Sequence, residues 1–250
     1  MTDLTPPAGP TEDHVLVEVT VAAPADVVWE ALRDPARIAQ WFGWDAEGLK
    51  DEIDFIFVTH ARADEARRVV DFEGVPDRYE VEARGDRTLV RVVRSAPAGT
   101  AWSDIFDSMV EGWIAFTQQL RFALERHANE TRRTIFLSGH PRDGILGRLT
   151  LGLDDTPAQG EPWAGALGPE AQASGRVWHL ARHQLGVTVD GWGDGLLVVM
   201  DRSPDEKHPK GETSLTLTTY GLSDAAFSAL EADWRGWWDA RFETVAPGCD

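Results

Sequence analysis

The chain has 250 residues and a mass of 27.6 kDa, which is more than one compact domain usually contains and favours two domains. Apolar residues make up 42% of the chain and charged residues 26%, so a packed core is expected and wholesale disorder is excluded. The net charge of −18 disfavours binding to nucleic-acid phosphates and to anionic membrane surfaces.

The sequence also lacks the signals of secretion and membrane insertion. It has no run of about 18 apolar residues, and its first residues do not follow the signal-peptide pattern. Cys249 is the single cysteine, which excludes an internal disulfide and a multi-cysteine metal site. These observations predict a cytoplasmic protein.

In chain order, residues 1–12 lack periodicity and are predicted to form a disordered tail. Apolar residues alternate from His14 to Val21, which predicts a strand. A helix is predicted with Pro24 in its first turn, and Asp34-Pro35 ends it and begins a short second helix. Four further strands are predicted, at Ile53–Val58, Arg68–Phe72, Arg78–Ala83 and Thr88–Arg94.

A long helix is predicted from Trp102 to Arg126, with Ser103 as its N-cap. One wide apolar face runs along it through Ile105, Met109, Trp113, Phe116, Leu120 and Leu124. The polar segment 127–132 then reads as a linker. The order of elements indicates an α+β fold in which a long helix packs on a curved antiparallel sheet.

The second half is predicted to repeat the first. Four residues match at a constant offset of 117 positions: Pro141, Asp143, Ile145 and Leu149 with Pro24, Asp26, Val28 and Leu32. Near the other end, Gly236-Trp237 matches Gly112-Trp113, with a net insertion expected in Thr156–Gly175. We therefore predict two tandem domains, at residues 13–128 and 133–246. Glycines 144, 147 and 152 predict that the first helix of the second copy is short or broken.

Several segments of the first half resemble the START-like (SRPBCC) superfamily, in its Hsp90-ATPase-activator-homologue branch. They are Val19–Leu32 (VTVAAPADVVWEAL), Asp34-Pro35, Gln40-Trp41-Phe42, Thr88–Val92 and the helix segment from Gly112-Trp113 through Leu120 and Leu124. The resemblance covers residues 15–126 well and 133–245 faintly. It implies a helix-grip (START/Bet v 1-like) fold, in which a curved antiparallel sheet surrounds a long C-terminal helix and an internal apolar cavity.

The aromatic residues of the first half are candidates for the wall of that cavity. We predict Trp41, Trp44, Phe57, Trp113 and Phe116 as lining residues and His60 as a polar group. The alternative that these rings only fill the core stays open. The arginines after His60 (Arg62, Arg67 and Arg68) either pair with a carboxylate ligand or face solvent.

No catalytic or metal-binding pattern emerges from the sequence. His179 and His183 are four residues apart, but no glutamate lies beside the first one and the neighbouring residues read as strands. The segment Asp190–Gly195 precedes a strand and is interpreted as a hairpin turn. We predict no catalytic residue, no metal and no cofactor.

The expected function is that of a non-enzymatic protein whose internal apolar cavity binds a hydrophobic small molecule. Two alternatives remain open: a protein-partner role resembling Hsp90 co-chaperone activators, and a cyclase- or aromatase-type enzyme on the same fold. A hydrophobic small molecule or a protein is therefore the expected partner, and neither nucleic acid nor a membrane is expected.

Overall fold

The computed structural model describes residues 11–98, 106–206 and 208–244. The chain divides into two compact units. The first contains the residues up to Gly43 and Gly48–Ala128, and the second contains Trp44–Glu47 and the residues from Asn129 onward. Each unit is mixed α+β, with one antiparallel sheet and one long helix.

The first unit has a five-stranded sheet in the order β1-β5-β4-β3-β2. Its strands are β1 (Thr11–Val21), β2 (Ala61–Asp64), β3 (Val69–Phe72), β4 (Asp77–Arg84) and β5 (Arg87–Pro97). The sequence predicted β1, β3, β4 and β5 correctly. Burial alternates along β1 and β4, whereas β3 and β5 also bury adjacent residues, such as Val69 with Val70 and Leu89 with Val90. Thr11 and Glu12, which the sequence placed in a disordered tail, already belong to β1.

The described residues of the first unit also form four α-helices, namely α1 (Ala25–Ala31), α2 (Pro35–Ile38), α3 (Leu49–Ile53) and α4 (Ser108–Arg126). Asp34 caps α2, because its carboxylate accepts a hydrogen bond of 2.8 Å from the backbone N–H of Ala36. Asp107 caps α4 through the N–H groups of Met109 and Val110. Phe106 and Asp107 were predicted to be helical, but they precede the helix. The predicted start of this helix, at 102–105, lies outside the described residues.

The predicted strand at Ile53–Val58 is wrong. These residues end α3 and form a six-residue π-helix, Asp54–Thr59. Ile53 and Phe57 are buried, whereas Phe55 and Val58 are more than half exposed, so burial follows a helical rather than an alternating spacing. A short run of β-branched and aromatic residues fits a strand and a buried helical turn equally well, which is why periodicity misassigned it.

The second unit has a seven-stranded sheet in the order β12-β6-β11-β10-β9-β8-β7. Its strands are β6 (Arg132–Pro141), β7 (Pro162–Leu167), β8 (Glu170–Leu180), β9 (Gln184–Val189), β10 (Gly195–Arg202), β11 (Glu212–Tyr220) and β12 (Phe242–Thr244). Its helices are α5 (Gly147–Thr150) and α6 (Asp224–Asp239). The hairpin between β9 and β10 is confirmed, and so is the short first helix.

The two units share a strand order. In each, the first strand pairs with the last strand before the long helix, and the others follow in descending order. The equivalence of their first helices is wrong, however, because Ile145 and Leu149 are 40% and 56% exposed whereas Val28 and Leu32 are buried. Tandem duplication therefore stays a prediction that the strand order favours and the first helices do not.

Gly193 is expected to be the least replaceable residue of the β9–β10 connection. It ends a 3-10 turn at φ +70°, and an added Cβ would lie 1.9 Å from the carbonyl oxygen of Tyr220. Gly193→Ala should therefore lower the free energy of unfolding by more than about 1–2 kcal/mol, the penalty of the left-handed conformation alone. Gly191 is the matched control, since a Cβ there meets nothing within 4 Å. Urea denaturation that finds both variants equally stable would contradict this expectation.

Candidate functional site

Seven aromatic rings form one continuous cluster in the interior of the first unit. The cluster comprises Trp41, Phe42, Phe57, Phe72, Tyr79, Trp113 and Phe116. Most neighbouring pairs meet edge to face, with ring centroids 4.9–6.2 Å apart, and Phe72 stacks on Trp113 at 5.2 Å. We call this group the aromatic cluster; it joins the turn after α2, the π-helix, β3, β4 and α4.

Phe57 connects the π-helix to the aromatic cluster. Its ring lies 5.6 Å from Trp41, 4.9 Å from Phe42 and 5.4 Å from Phe72. Two residues earlier, Phe55 is 59% exposed, so this one turn presents one ring inward and one ring outward. π-Helical turns are rare and occur frequently at functional sites, because their backbone is less favourable than that of an α-helix.

A pair of hydroxyl groups lies within the aromatic cluster. The Tyr79 hydroxyl and the Thr117 Oγ1 are 3.0 Å apart, and both residues are fully buried. Burial raises the pKa of Tyr79 well above its usual range, so the phenol stays protonated at neutral pH. The pair is thus an uncharged hydrogen-bonding group surrounded by apolar rings.

A buried ionic network lies at one side of the aromatic cluster. Arg94 forms a bidentate ion pair with Asp77, with N–O distances of 2.6 and 2.8 Å. Its third nitrogen lies 3.0 Å from Asp107, the N-cap of α4. The Trp113 indole N–H donates to Asp77 over 2.8 Å, which links the network to the cluster. The hydrogen bond to Asp77 raises the pKa of Arg94 above its usual range, so its positive charge is permanent.

The structure brings four of the six predicted site residues together: Trp41, Phe57, Trp113 and Phe116 all belong to the aromatic cluster. His60 lies at the end of the π-helix, where its Nδ1 is 2.9 Å from the Phe55 carbonyl oxygen. Trp44 belongs to the second unit, where it stacks on Phe136 with ring centroids 3.7 Å apart.

Two of the three arginines that follow His60 pair with carboxylates of the chain through their side chains. Arg62 lies 2.7 Å from Glu73, and Arg68 forms an ion pair with Asp26. For Arg62, the solvent-facing alternative matches the structure, since its side chain is 79% exposed.

Sequence reasoning missed the residues that add polarity to this site, namely Asp77, Tyr79, Arg94 and Thr117. One signal was available: Asp77, Tyr79 and Val81 alternate along β4 and share its buried side. Nothing in the sequence signals that Arg94 and Asp107 meet, because their contact depends on where α4 begins.

The second unit has its own aromatic core, which contains five tryptophans. Trp163 donates its indole N–H to the Thr188 carbonyl oxygen over 3.2 Å, and Trp192 donates to Glu170 over 2.7 Å. Trp234 and Trp238 on α6 are 0% and 1% exposed, and neither indole N–H has a hydrogen-bond acceptor in the part of the chain that the structure describes. A buried donor without an acceptor costs about 1–3 kcal/mol.

The two histidines singled out by their spacing do not lie on a helix. His179 is buried in β8, over Gly186, and His183 lies in the turn before β9. Within the described ranges, no group of three or more His, Cys, Asp or Glu side chains is placed to hold a metal ion. No helix among those residues has the length and apolar character needed to cross a membrane.

Two solved structures resemble this chain over most of its length. DynU16, from the dynemicin biosynthetic locus, is 20% identical over 92% of this chain and 96% of its own, with a TM-score of 0.29. StfQ, a di-domain ARO/CYC from the steffimycin biosynthetic pathway, is 13% identical over 89% and 91%, with a TM-score of 0.33. No family model and no curated protein matches the sequence. Likenesses at these TM-scores assign neither a family nor a function to the chain.

Proposed function

We propose that this protein binds a hydrophobic small molecule in the interior of its first unit and does not transform it. The observation that carries the proposal is the aromatic cluster with the Tyr79–Thr117 hydroxyl pair inside it. Binding pockets combine apolar and aromatic walls with a few placed polar groups, and this is the composition found here.

The polar groups of this interior suit recognition better than proton transfer. The Tyr79 phenol is held neutral by burial, and a neutral hydroxyl can donate to or accept from a ligand. The Asp77 carboxylate already accepts hydrogen bonds from Arg94 and Trp113. A ligand with a carbonyl or hydroxyl group on an apolar body fits these surroundings.

The π-helix is the proposed entrance to the aromatic cluster. Phe57 contacts three rings of the cluster from this turn, so outward displacement of the turn opens a space with Phe57 as one wall and Trp41, Phe42 and Phe72 as the other. The i→i+5 hydrogen bonds of a π-helix give it less stability than a regular α-helix, which lowers the free energy needed for this opening.

Phe57→Ala is expected to weaken binding of the neutral fluorescent probe Nile red by roughly ten-fold or more, because burial of one aromatic side chain contributes about 1.5–3 kcal/mol. Phe55→Ala is the matched control: it removes the same side chain from the same turn at an exposed position and should leave the affinity unchanged. Fluorescence titration measures both, and circular dichroism checks that both variants fold. Equal affinities of the two variants for Nile red would show that the aromatic cluster is not the binding site.

Native mass spectrometry and solvent extraction of the purified protein test the role directly. The proposal predicts a retained apolar molecule, or one that can be titrated in, whose mass stays constant during incubation at neutral pH. If the protein retains no such molecule and Nile red does not bind, the proposal is wrong.

A catalytic role of the cyclase or aromatase type is a second candidate. One observation favours it: three ionisable residues are buried in this region, where Asp77 accepts from the Trp113 N–H, Arg94 pairs with Asp77, and Glu111 lies two residues before Trp113 on α4. Such a role predicts that the extracted molecule changes mass in the presence of the protein, and that Asp77→Asn slows this change. Either result would show that the protein transforms the molecule and does not only bind it.

A further inference from the structure

Two tryptophans of the second unit present unused hydrogen-bond donors to its interior. Trp234 and Trp238 are four residues apart on α6, so their side chains lie on the same face of the helix. Both indole nitrogens are buried, and among the described residues neither has an acceptor. Because an indole N–H only donates, the partner it lacks must be an acceptor.

The neighbouring tryptophans show that this core can satisfy its donors. The N–H groups of Trp163 and Trp192 both reach oxygen atoms of the chain. Buried donors in folded proteins are almost always satisfied, so two exceptions one helical turn apart require an explanation. The shared face of α6 indicates a single cause for both.

The surroundings of the two indoles are apolar. The Trp234 ring lies 5.6 Å from Trp192 and 5.7 Å from Trp237, and it passes over Gly168. The Trp238 ring stacks on Phe242, with centroids 3.9 Å apart and an interplanar angle of 11°. A buried water needs two to four polar partners, and the ring contacts found around these two tryptophans are apolar. A carbonyl oxygen on an apolar molecule, in contrast, is satisfied by one indole N–H donor, and the rest of the molecule can lie against apolar side chains.

We infer that the second unit binds a neutral, apolar molecule with two carbonyl oxygens, which accept hydrogen bonds from the indole N–H groups of Trp234 and Trp238. Four residues of helix separate the backbones of the two tryptophans by about 6 Å along the axis of α6, and two carbonyl oxygens on one ring match two donors on one face of the helix. This site lies in the second unit and is independent of the function proposed for the first.

Two matched compounds separate the hydrogen bonds from apolar contact. The probe is 2,3-dimethyl-1,4-naphthoquinone, and the control is 2,3-dimethylnaphthalene, which has a similar ring system and no acceptor. In protein labelled with ¹⁵N at tryptophan, the quinone should shift two indole N–H resonances downfield, and the hydrocarbon should not. Loss of one resonance in each of Trp234→Phe and Trp238→Phe assigns these signals.

The same variants test the affinity. Each replacement removes one donor, and the quinone should bind about two- to ten-fold more weakly, as expected for one hydrogen bond. Trp192→Phe is the control, because it loosens the packing on Trp234 while removing an N–H that Glu170 already engages, so it should change the affinity less.

Three outcomes would overturn the inference. The first is the absence of any quinone-induced shift of the two indole resonances in the unmodified protein, a measurement that does not depend on the folding of a variant. The second is equal affinity for the quinone and the hydrocarbon. The third is persistent magnetisation transfer from buried water to both indole N–H groups at saturating quinone, which would identify water as the acceptor. Because the comparison of Phe57→Ala with Phe55→Ala reports on the first unit, that proposal can fail while this one stands.

Discussion

Asp77→Ala is expected to lower the free energy of unfolding of the first unit by about 3–5 kcal/mol, because it leaves a buried arginine without its main partner. The Asp77 side chain is 0% exposed and that of Arg94 is 6% exposed, so water cannot replace the lost carboxylate. The Trp113 N–H loses its acceptor in the same substitution. Asp107 remains beside Arg94 but contacts only one of its nitrogens.

Glu18→Ala is the matched control for this prediction. It also removes a carboxylate that faces an arginine of β5, since Glu18 pairs with Arg91 over 2.6 Å, but both side chains of that pair reach solvent. Its effect should stay within about 1 kcal/mol. Urea denaturation gives the free energies, and hydrogen exchange of the β4 and β5 amides assigns the loss to the first unit. Equal losses in both variants would mean that the Asp77–Arg94 pair is not buried in solution.

Strands were the most predictable part of the fold. Alternation of apolar residues located β1 and β4, because one side of each strand is buried and the other is more exposed. In the second unit, Ser223 is the N-cap of α6, where its hydroxyl accepts from the Ala226 N–H.

The π-helix and the first helix of the second unit were less predictable. The π-helix has a strand-like composition, and the burial of Phe57 and exposure of Phe55 become visible only once the chain is folded. In the second unit, α5 has four residues, and Leu149 on it is exposed although its position in the sequence matches the buried Leu32. A match in spacing does not specify which side of an element faces the core.

The candidate site was predictable in its apolar part alone. Large aromatic residues are usually buried, and this preference selected Trp41, Phe57, Trp113 and Phe116. The buried ionic network was missed because it joins residues from β4, β5 and the N-terminus of α4, and charged residues are ordinarily assigned to the surface.

Trp44 shows how one backbone conformation redirects a prediction. It follows Trp41 by three residues and was expected to line the same cavity. Gly43 between them has φ +60°, a conformation that glycine adopts easily and that turns the chain sharply. Trp41 thus lies in the first unit, and Trp44 belongs to the second.

Trp41→Ala is expected to destabilise the first unit by about 3–5 kcal/mol, the range for removing a large aromatic side chain from a core. The side chain is 1% exposed, and its ring contacts Phe42, Phe57 and Tyr79 at centroid distances of 5.6–6.1 Å. Its indole N–H donates to the Ala31 carbonyl oxygen over 2.9 Å, and that buried oxygen loses a partner in the variant. Urea denaturation measures the loss of stability.

Trp44→Ala separates the burial of a tryptophan from its position in the sequence. Trp44 is half-buried and stacks on Phe136. Its removal should lower the free energy of unfolding of the second unit by the contribution of its buried apolar area plus about 0.5–1.5 kcal/mol for the stacked pair. Hydrogen exchange should therefore accelerate in β4 and β5 for Trp41→Ala and in β6 for Trp44→Ala. If both variants destabilise the same strands, Gly43 does not divide the two tryptophans between the units, and Trp44 returns as a candidate for the site in the first.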